Sequence, residues 1–584
     1  MTKMTAGRAL AQVLIKWQVD HLYGIPADSI NNTVEGFYDE REQLKYIQVR
    51  HEEVGALAAS ADAKYTGKIG VCFGSAGPGG VHLLNGLYEA KMDHVPVLAI
   101  VGQSATNIMN TSFFQEMNQD PIFADVAPFH RQATNAEQIP YLVDQAIRAA
   151  YANKSVSVVI LPDDLSGQEI DFHGFETQAI AQKPANLLKP TQEAMQQVVQ
   201  ALEQAQRPLL WIGRGAKNAR DLVVQVSEKL SLPVLSTVPA TGIMPTDHPN
   251  FMGSKGRLGT KPGYEVASAC DLILFVGTNY PFARFLPQNI TFIQVNNNLA
   301  DLGKQYDANV TVLADSAEFL QALLDTGYQR EPSAFLKAAQ QDKRNWDQWL
   351  LELSQDDAQG LRAEGVIQAI KDNSTNNAVY SLDVGNNTEW SIRQLPFDQQ
   401  QSFTMSPWYG TMGFGLPGGM AAQLNYPNQQ IWSISGDGGF AMVMPDLLTE
   451  VKYQLPVINV VLANNSFGYI EHEKIQNQQS MYGINLLGAD WGAVAQGMGA
   501  HGFTVRNLAE LKQAMHQINE LQKQGSHLPI ALDAHIQNID PIDTSFIPVN
   551  EDLFDQPTID QYRTRYDLPA DSQPSLQTLI KQFS

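Results

Sequence analysis

Short, continuous apolar runs, each closed by a turn residue and followed by a helical pattern, recur along almost the whole chain. They lie at residues 69–73, 95–101, 156–161, 208–212, 272–276, 431–435 and 457–463. A strand that is apolar on both faces must be covered on both, so this rhythm predicts mostly parallel sheets with helices on either side, an α/β architecture. A single core stops growing near ~250–300 residues, and 584 residues must therefore divide. Polar stretches at 182–191 and 354–364 supply the cuts, giving expected domains at 1–184, 185–350 and 351–584. The first and third share one plan. A helix over 6–18 runs into a strand at 21–24, as one over 363–372 runs into 379–385, and each domain closes on a buried strand, 156–161 or 529–535. This pattern reads as an internal duplication.

Charge narrows the partners. Against 39 Lys+Arg stand 61 Asp+Glu, a net −22, which repels nucleic acid and anionic membranes but leaves room for a small anionic substrate at a local site. No apolar run approaches the ~20 residues that span a bilayer, and Gln12 and Lys16 interrupt what would be a signal-peptide core. The expectation is a cytoplasmic protein with no membrane contact. Cys72 and Cys270 sit in or beside apolar runs and read as buried thiols. The Gln- and Asn-rich residues 473–480 read as a mobile loop.

The densest chemistry is Gly436-Asp437-Gly438-Gly439 after the strand at 431–435, with Asn464-Asn465 after the next strand. Glycine amides and a helix expected over 442–451 suit a diphosphate. A carboxylate and an amide oxygen suit Mg²⁺, and neighbouring strand ends ~5 Å apart can share one ion. This pairing resembles the Mg²⁺–diphosphate motif of the thiamine-diphosphate enzymes. The resemblance implies Mg²⁺ held by Asp437, Asn464 and the Ser466 carbonyl, with Gly436, Gly438, Gly439 and Gly468 lining the diphosphate.

Other segments resemble the same family. Arg50-His51-Glu52-Glu53-Val54-Gly55-Ala56 opens an Ala-rich helix, and the likeness implies that Glu52 is the buried acid that activates the cofactor. Met412, in Thr411-Met412-Gly413-Phe414-Gly415, takes the place of the wedge that bends the cofactor. His82, after the glycine-rich Gly74–Val81 loop, would face the substrate. In this family the two halves of each site come from different subunits, which implies a homo-oligomer, a dimer at minimum, with a tetramer expected.

The middle segment runs Leu209-Leu210-Trp211-Ile212-Gly213-Arg214-Gly215, a strand into a glycine turn that is weak evidence alone. With the segments at 237–242, 253–257, 276–281 and 312–315, it resembles the FAD domain of the branch comprising pyruvate oxidases and acetolactate synthases. The implied FAD residues are Gly213, Arg214, Gly215, Thr237, Ala240, Gly242, Arg257, Gly277, Asn279, Asn296 and Asp315. One departure stands out: Val295-Asn296-Asn297-Asn298 replaces an Ile-Asp-x-Asp segment, so a carboxylate that grips hydroxyls is lost.

Across nearly its whole length the chain is most similar to the phosphate-dependent pyruvate oxidases. By that likeness Phe114 reaches the flavin, Gln115 the substrate, Glu473 stands as the active-site glutamate, and Tyr469 lines the channel where Phe is expected. The implied reaction takes pyruvate, phosphate and O₂ to acetyl phosphate, CO₂ and H₂O₂, with thiamine diphosphate, Mg²⁺ and FAD. Acetolactate synthase-type carboligation, a quinone-reducing oxidase and a non-catalytic relative are the alternatives. The intact Glu52, Asp437 and Asn464 stand against the last.

Overall fold

The computed structural model describes residues 3–175, 187–398, 400–569 and 572–584. Three sheets organise the chain, all of them parallel, as expected of strands buried on both faces. The first contains His21–Gly24, Lys45–Gln48, Gly70–Gly74, Val97–Gln103, Phe129–Gln132 and Val156–Pro162. The third contains Val379–Leu382, Ser402–Thr404, Ile431–Gly436, Ile458–Ala463, His501–Val505 and Ile530–His535. Counted within each sheet in chain order, both lie 2-1-3-4-6-5, so the duplication extends to the strand order itself.

The middle sheet, Pro208–Ile212, Val234–Ser236, Leu272–Val276, Thr291–Asn296 and Val310–Leu313, lies 2-1-3-4-5. In every sheet the order reverses between the first and third strands. Crevices open at the carboxyl ends of such strands, and there ligands bind. A small antiparallel pair, Lys3–Thr5 with Glu169–Asp171, ties the N-terminus to the end of the first domain.

The first and third domains share one continuous core that includes Leu57, Val101, Phe414, Leu416 and Met420. Its centre is the contact between the helices Glu52–Thr66 and Gly415–Asn425. Both are rich in Gly and Ala, so their backbones approach closely, and the first ends cleanly at Gly67, whose φ is 71°. Polar groups pin the seam. Asn425 Nδ2 donates to Asp62 Oδ1 at 2.6 Å, Tyr65 OH donates to Tyr380 O at 3.0 Å, and the buried Lys64 ammonium donates to Met405 O at 2.7 Å while pairing with Glu89 and Asp93.

Four expectations need correction. The helix after Gly436 begins at Asp437 rather than 442, ends at Val443, and resumes as Leu447–Tyr453 after a 3₁₀ turn at Met444–Asp446, because Pro445 cannot continue a helical ladder. Residues 473–476 are not loop but the last turn of Gly468–Gln476. Residue 350 lies inside the helix Ala334–Ser354, and the C-terminal Leu576–Phe583 packs back on the middle domain, where Leu576 N–H donates to Glu265 Oε2 at 2.8 Å. Of the stretch 182–191, residues 182–186 lie outside the described residues. Among the described residues no helix is long and apolar enough to cross a membrane.

The helix Leu84–Met92 buttresses the Glu52 helix through Gly86, where an added Cβ would stand 2.5 Å from Ala56 Cβ and 2.6 Å from Leu57 N. Gly86→Ala is therefore expected to cost about 2 kcal/mol of stability, read as a lower urea midpoint. Gly497→Ala, in a helix with open space around it, is expected to leave the midpoint unchanged or raise it slightly.

Candidate active site

Register brings the first half-site together. Gly436 pairs with Leu462, so Asp437 and Asn464 leave adjacent strands at one sheet edge. The Asp437 carboxylate is buried. Its Oδ1 accepts the Gly438 N–H at 2.9 Å and its Oδ2 the Asn465 N–H at 2.8 Å. Burial holds its carboxyl above the ordinary range despite both bonds. Asn464 Oδ1 lies 3.3 Å from Ser466 N, its Nδ2 donates to Asn538 at 3.0 Å, and the Ser466 hydroxyl donates to Glu471 at 2.5 Å. Asn465 turns the chain with φ 58°, in the left-handed region that Asn tolerates.

Two residues at this edge were not anticipated from the sequence. Asn386 opens the helix after Val379–Leu382; it is buried, yet among the described residues neither its amide nitrogen nor its oxygen has a partner. It flanks a cradle at Gly468, where an added Cβ would meet Asn386 Nδ2 at 2.8 Å and Asn464 Nδ2 at 2.9 Å. A buried amide without a partner is costly. Hard oxygens beside glycine N–H groups and a free amide fit Mg²⁺ with a diphosphate.

Asp383 ends the same strand. Its Oδ1 accepts from Val384 N–H at 2.7 Å and Gly413 N–H at 2.9 Å, while Oδ2 faces Gly439, where a Cβ would stop 2.7 Å away. Burial pushes this carboxyl up to about 6. It fastens the Met412–Gly413 turn to the glycine loop, and Met412 Cε lies 3.3 Å from where a Gly438 Cβ would stand.

The second half-site lies on the first domain. Glu52 is the first residue of its helix and is buried; its Oε2 lies 3.0 Å from His82 Nδ1, and its Oε1 lies 3.1 Å from where a Gly79 Cβ would stand. The His51 and His82 rings stack at 4.4 Å. Gln115, with φ 60°, rests its carbonyl against the turn at Gly77, and Phe114 is 70% exposed. Among the described residues no hydrogen bond or ion pair joins the Glu52 cluster to the Asp437 cluster within the chain.

Tyr469 and Glu473 lie on the helix Gly468–Gln476, and Arg257 from the middle domain is drawn onto them. Its guanidinium lies 3.6 Å from the centre of the Tyr469 ring, donates to Tyr469 O at 2.8 Å and to Glu473 Oε1 at 2.8 Å. Glu389 lies 3.8 Å from Arg257 Nε, and burial pushes its carboxyl up to about 7.

The other residues expected at a flavin mostly gather at the middle sheet's crevice. Gly213 and Gly215 let two strand ends touch, since a Gly215 Cβ would stand 2.8 Å from Gly277 Cα, and Gly277 has φ 70°. Arg214 donates to Asp93 O in the first domain at 2.5 Å. Thr237 follows the strand Val234–Ser236, Ala240 ends a 3₁₀ turn, and Gly242 (φ 87°) packs on Phe397. Asp315 caps the helix Ser316–Asp325 by accepting from Ala317 N–H at 2.9 Å. Asn296 Oδ1 accepts from Asn298 N–H at 2.9 Å. The side-chain amides of Asn279 and Asn298 both donate to Asp301, at 3.1 and 2.9 Å, so this corner does hold a carboxylate, supplied from outside residues 295–298.

Two domains of one plan, with a carboxylate, an amide and glycines at one sheet edge and a buried glutamate on the other domain, fit a cofactor-dependent enzyme, and comparison with known proteins agrees. Residues 4–122 match the thiamine pyrophosphate enzyme N-terminal TPP binding domain, 195–323 the central domain, and 383–528 the C-terminal TPP binding domain. The chain is 40% identical over 586 aligned residues to a pyruvate oxidase of Lactiplantibacillus plantarum, covering 100% of this chain and 96% of that protein. It is also 40% identical to YdaP, a putative thiamine pyrophosphate-containing protein of Bacillus subtilis, over 93% of each. An acetolactate synthase large subunit of Corynebacterium glutamicum is 25% identical over 91% of this chain and 86% of its own length. The chain belongs to the thiamine pyrophosphate enzyme family and is a thiamine pyrophosphate-dependent enzyme.

Asp383 gives a pH test. A carboxyl raised by folding from 3.8 to about 6 is harmless while protonated, and its burden on stability grows as pH rises through that window. Asp383→Asn keeps the acceptor without the charge. Relative to the parent, its stability is expected to match near pH 3.5 and to exceed it by about 2–3 kcal/mol above pH 6.5, measured as urea midpoints across pH.

Proposed function

We propose that this enzyme oxidatively decarboxylates pyruvate with phosphate and O₂ to acetyl phosphate, CO₂ and H₂O₂, using thiamine diphosphate, Mg²⁺ and FAD. One observation carries the oxidase reading. An oxidase needs its thiamine site and its flavin site to share a wall, and Arg257 of the middle domain, stacked on Tyr469 and bonded to Glu473, would form that wall. Full-length likeness to a pyruvate oxidase supports the same reading.

Bound thiamine diphosphate supplies a nucleophilic carbon and a sink for the electron pair left behind by CO₂. The protein's part is placement. Asp437, Asn464 and the Ser466 carbonyl would hold Mg²⁺, with Gly436, Gly438, Gly439, Gly468 and Asn386 lining the diphosphate. Glu52, buried beside His82, would hold or release the proton toward a bound cofactor's ring, and His82, Gln115 and Glu473 would orient pyruvate and phosphate. Met412, packed against the Gly438 turn, would wedge against the bound cofactor. FAD would take the middle crevice through Gly213, Arg214, Gly215, Thr237, Ala240, Gly242, Arg257, Gly277, Asn279, Asn296 and Asp315, with Asp301 supplying the carboxylate absent from 295–298.

Phe113, Phe114, Met481, Tyr482 and Leu487 are exposed apolar residues, the last two 88% and 98% exposed. Such surface suits a second copy completing each site, a dimer at minimum and a tetramer by expectation. Domain limits fall near 1–184, 185–354 and 355–584, the second moved from 350 to the end of the helix Ala334–Ser354, with the C-terminal helix returning to the middle domain.

Acetolactate synthases at 25–28% identity make carboligation the alternative. Purified protein is expected to carry a flavin spectrum that pyruvate bleaches without O₂ only when thiamine diphosphate and Mg²⁺ are present. Glu52→Gln is expected to bind the cofactors yet bleach at least about a hundredfold more slowly. Acetolactate formation without peroxide in air, or a colourless protein that still decarboxylates pyruvate, would overturn the oxidase reading.

A further inference from the structure

Strand Lys45–Gln48 is an edge strand of the first sheet and leads through Arg50 and His51 into Glu52. One side of it pairs with His21–Gly24. The other side is met not by a strand but by side chains of the third domain at helical spacing: Asp446, Thr449 and Tyr453. Tyr453 OH accepts the Gln48 N–H at 2.8 Å and donates to Tyr46 O at 3.2 Å. The Thr449 hydroxyl lies 3.3 Å from Gln48 O and 2.8 Å from Asp446 Oδ1. Asp446 Oδ1 accepts the Arg50 N–H at 2.8 Å. Outward backbone groups of residues 46, 48 and 50 are thus answered by side chains at i, i+3 and i+7, where the period of two meets the helical turn. Asp446 is the last rung and is buried, and Arg50, whose N–H it accepts, stands two residues before Glu52. Asp446 also closes the 3₁₀ turn Met444–Asp446 that follows the helix beginning at Asp437.

We infer that Asp446 is a positioning residue for Glu52. It fixes the Arg50 corner from which the glutamate's helix departs, and so ties the geometry of the activating acid to the element that follows the diphosphate edge. This rests on Glu52 being that acid. The ladder itself is structural, but its rungs differ: Tyr453 holds the strand's middle, whereas Asp446 holds the corner at the acid.

The test uses the full chain reconstituted with thiamine diphosphate and Mg²⁺, and reads hydrogen–deuterium exchange at the C2 position of the bound cofactor by quench and NMR. Backbone amide exchange over residues 49–53 is read in the cofactor-free protein. Asp446→Ala is expected to slow C2 exchange by on the order of tenfold or more and to speed amide exchange at the corner. Asp446→Asn, which keeps the acceptor, is expected to restore both. Tyr453→Phe is expected to lower thermal stability while C2 exchange stays close to the wild-type rate. If Asp446→Ala does not fold, Asp446→Ser, too short to reach Arg50, carries the same expectation. Wild-type C2 exchange in the Ala or Ser variant would overturn the inference, as would equal slowing in Tyr453→Phe. Wild-type exchange in Glu52→Gln would instead overturn the role of Glu52.

Discussion

A carboxylate removed from water must be compensated by charge or by donors, and at Asp437 the fold supplies two backbone N–H groups and, among the described residues, no cationic side chain. Burial still raises its carboxyl. The neighbourhood is built of more of the same: an Asn464 oxygen, the Asn386 amide without a partner, and glycines that keep side chains away. Each feature alone would be an oddity of packing. Together they describe a place that becomes favourable when a hard cation and an oxyanion arrive as a pair.

The sheets explain why these groups meet. In a parallel sheet every strand delivers its last residues to one edge, and the reversal of order between the first and third strands opens that edge into a crevice. The third domain puts Asp383, Asn386 and Asp437 just past the ends of the strands flanking its reversal, with Asn464 just past the end of the next strand. The first domain repeats the strand order but offers a glutamate and a histidine instead. Duplication thus gives two similar scaffolds whose edges carry complementary chemistry, and the Gly- and Ala-rich helices Glu52–Thr66 and Gly415–Asn425 lock them through one core.

Much of this was legible in the residues. Continuous apolar runs located the strands because burial on both faces leaves no polar alternation, and predicted bounds such as 208–212 and 272–276 coincide with observed ones. Gly436–Gly439 and Asn464 were legible because their chemistry is local to a strand end. What could not be read came from distant packing. Asp383 gains its meaning from Gly413, Asp446 from Arg50, and Arg257 from a helix of another domain; sequence spacing carries none of these contacts. The helix start at 437 was missed because glycines weaken a helical reading, although here they form its first turn. The apparent loss of a carboxylate at 295–298 was a local reading too, since Asp301 folds back onto Asn279 and Asn298.

The central claim is that the Asp437 edge binds a divalent ion and the cofactor's diphosphate as one unit. Mn²⁺ in place of Mg²⁺ makes this directly observable by electron–nuclear double resonance on the enzyme mixed with thiamine diphosphate. The account predicts ³¹P couplings of directly coordinated phosphate oxygens, lost together with Mn²⁺ binding in Asp437→Ala. Bound Mn²⁺ without ³¹P coupling, or couplings unchanged in that variant, would contradict it.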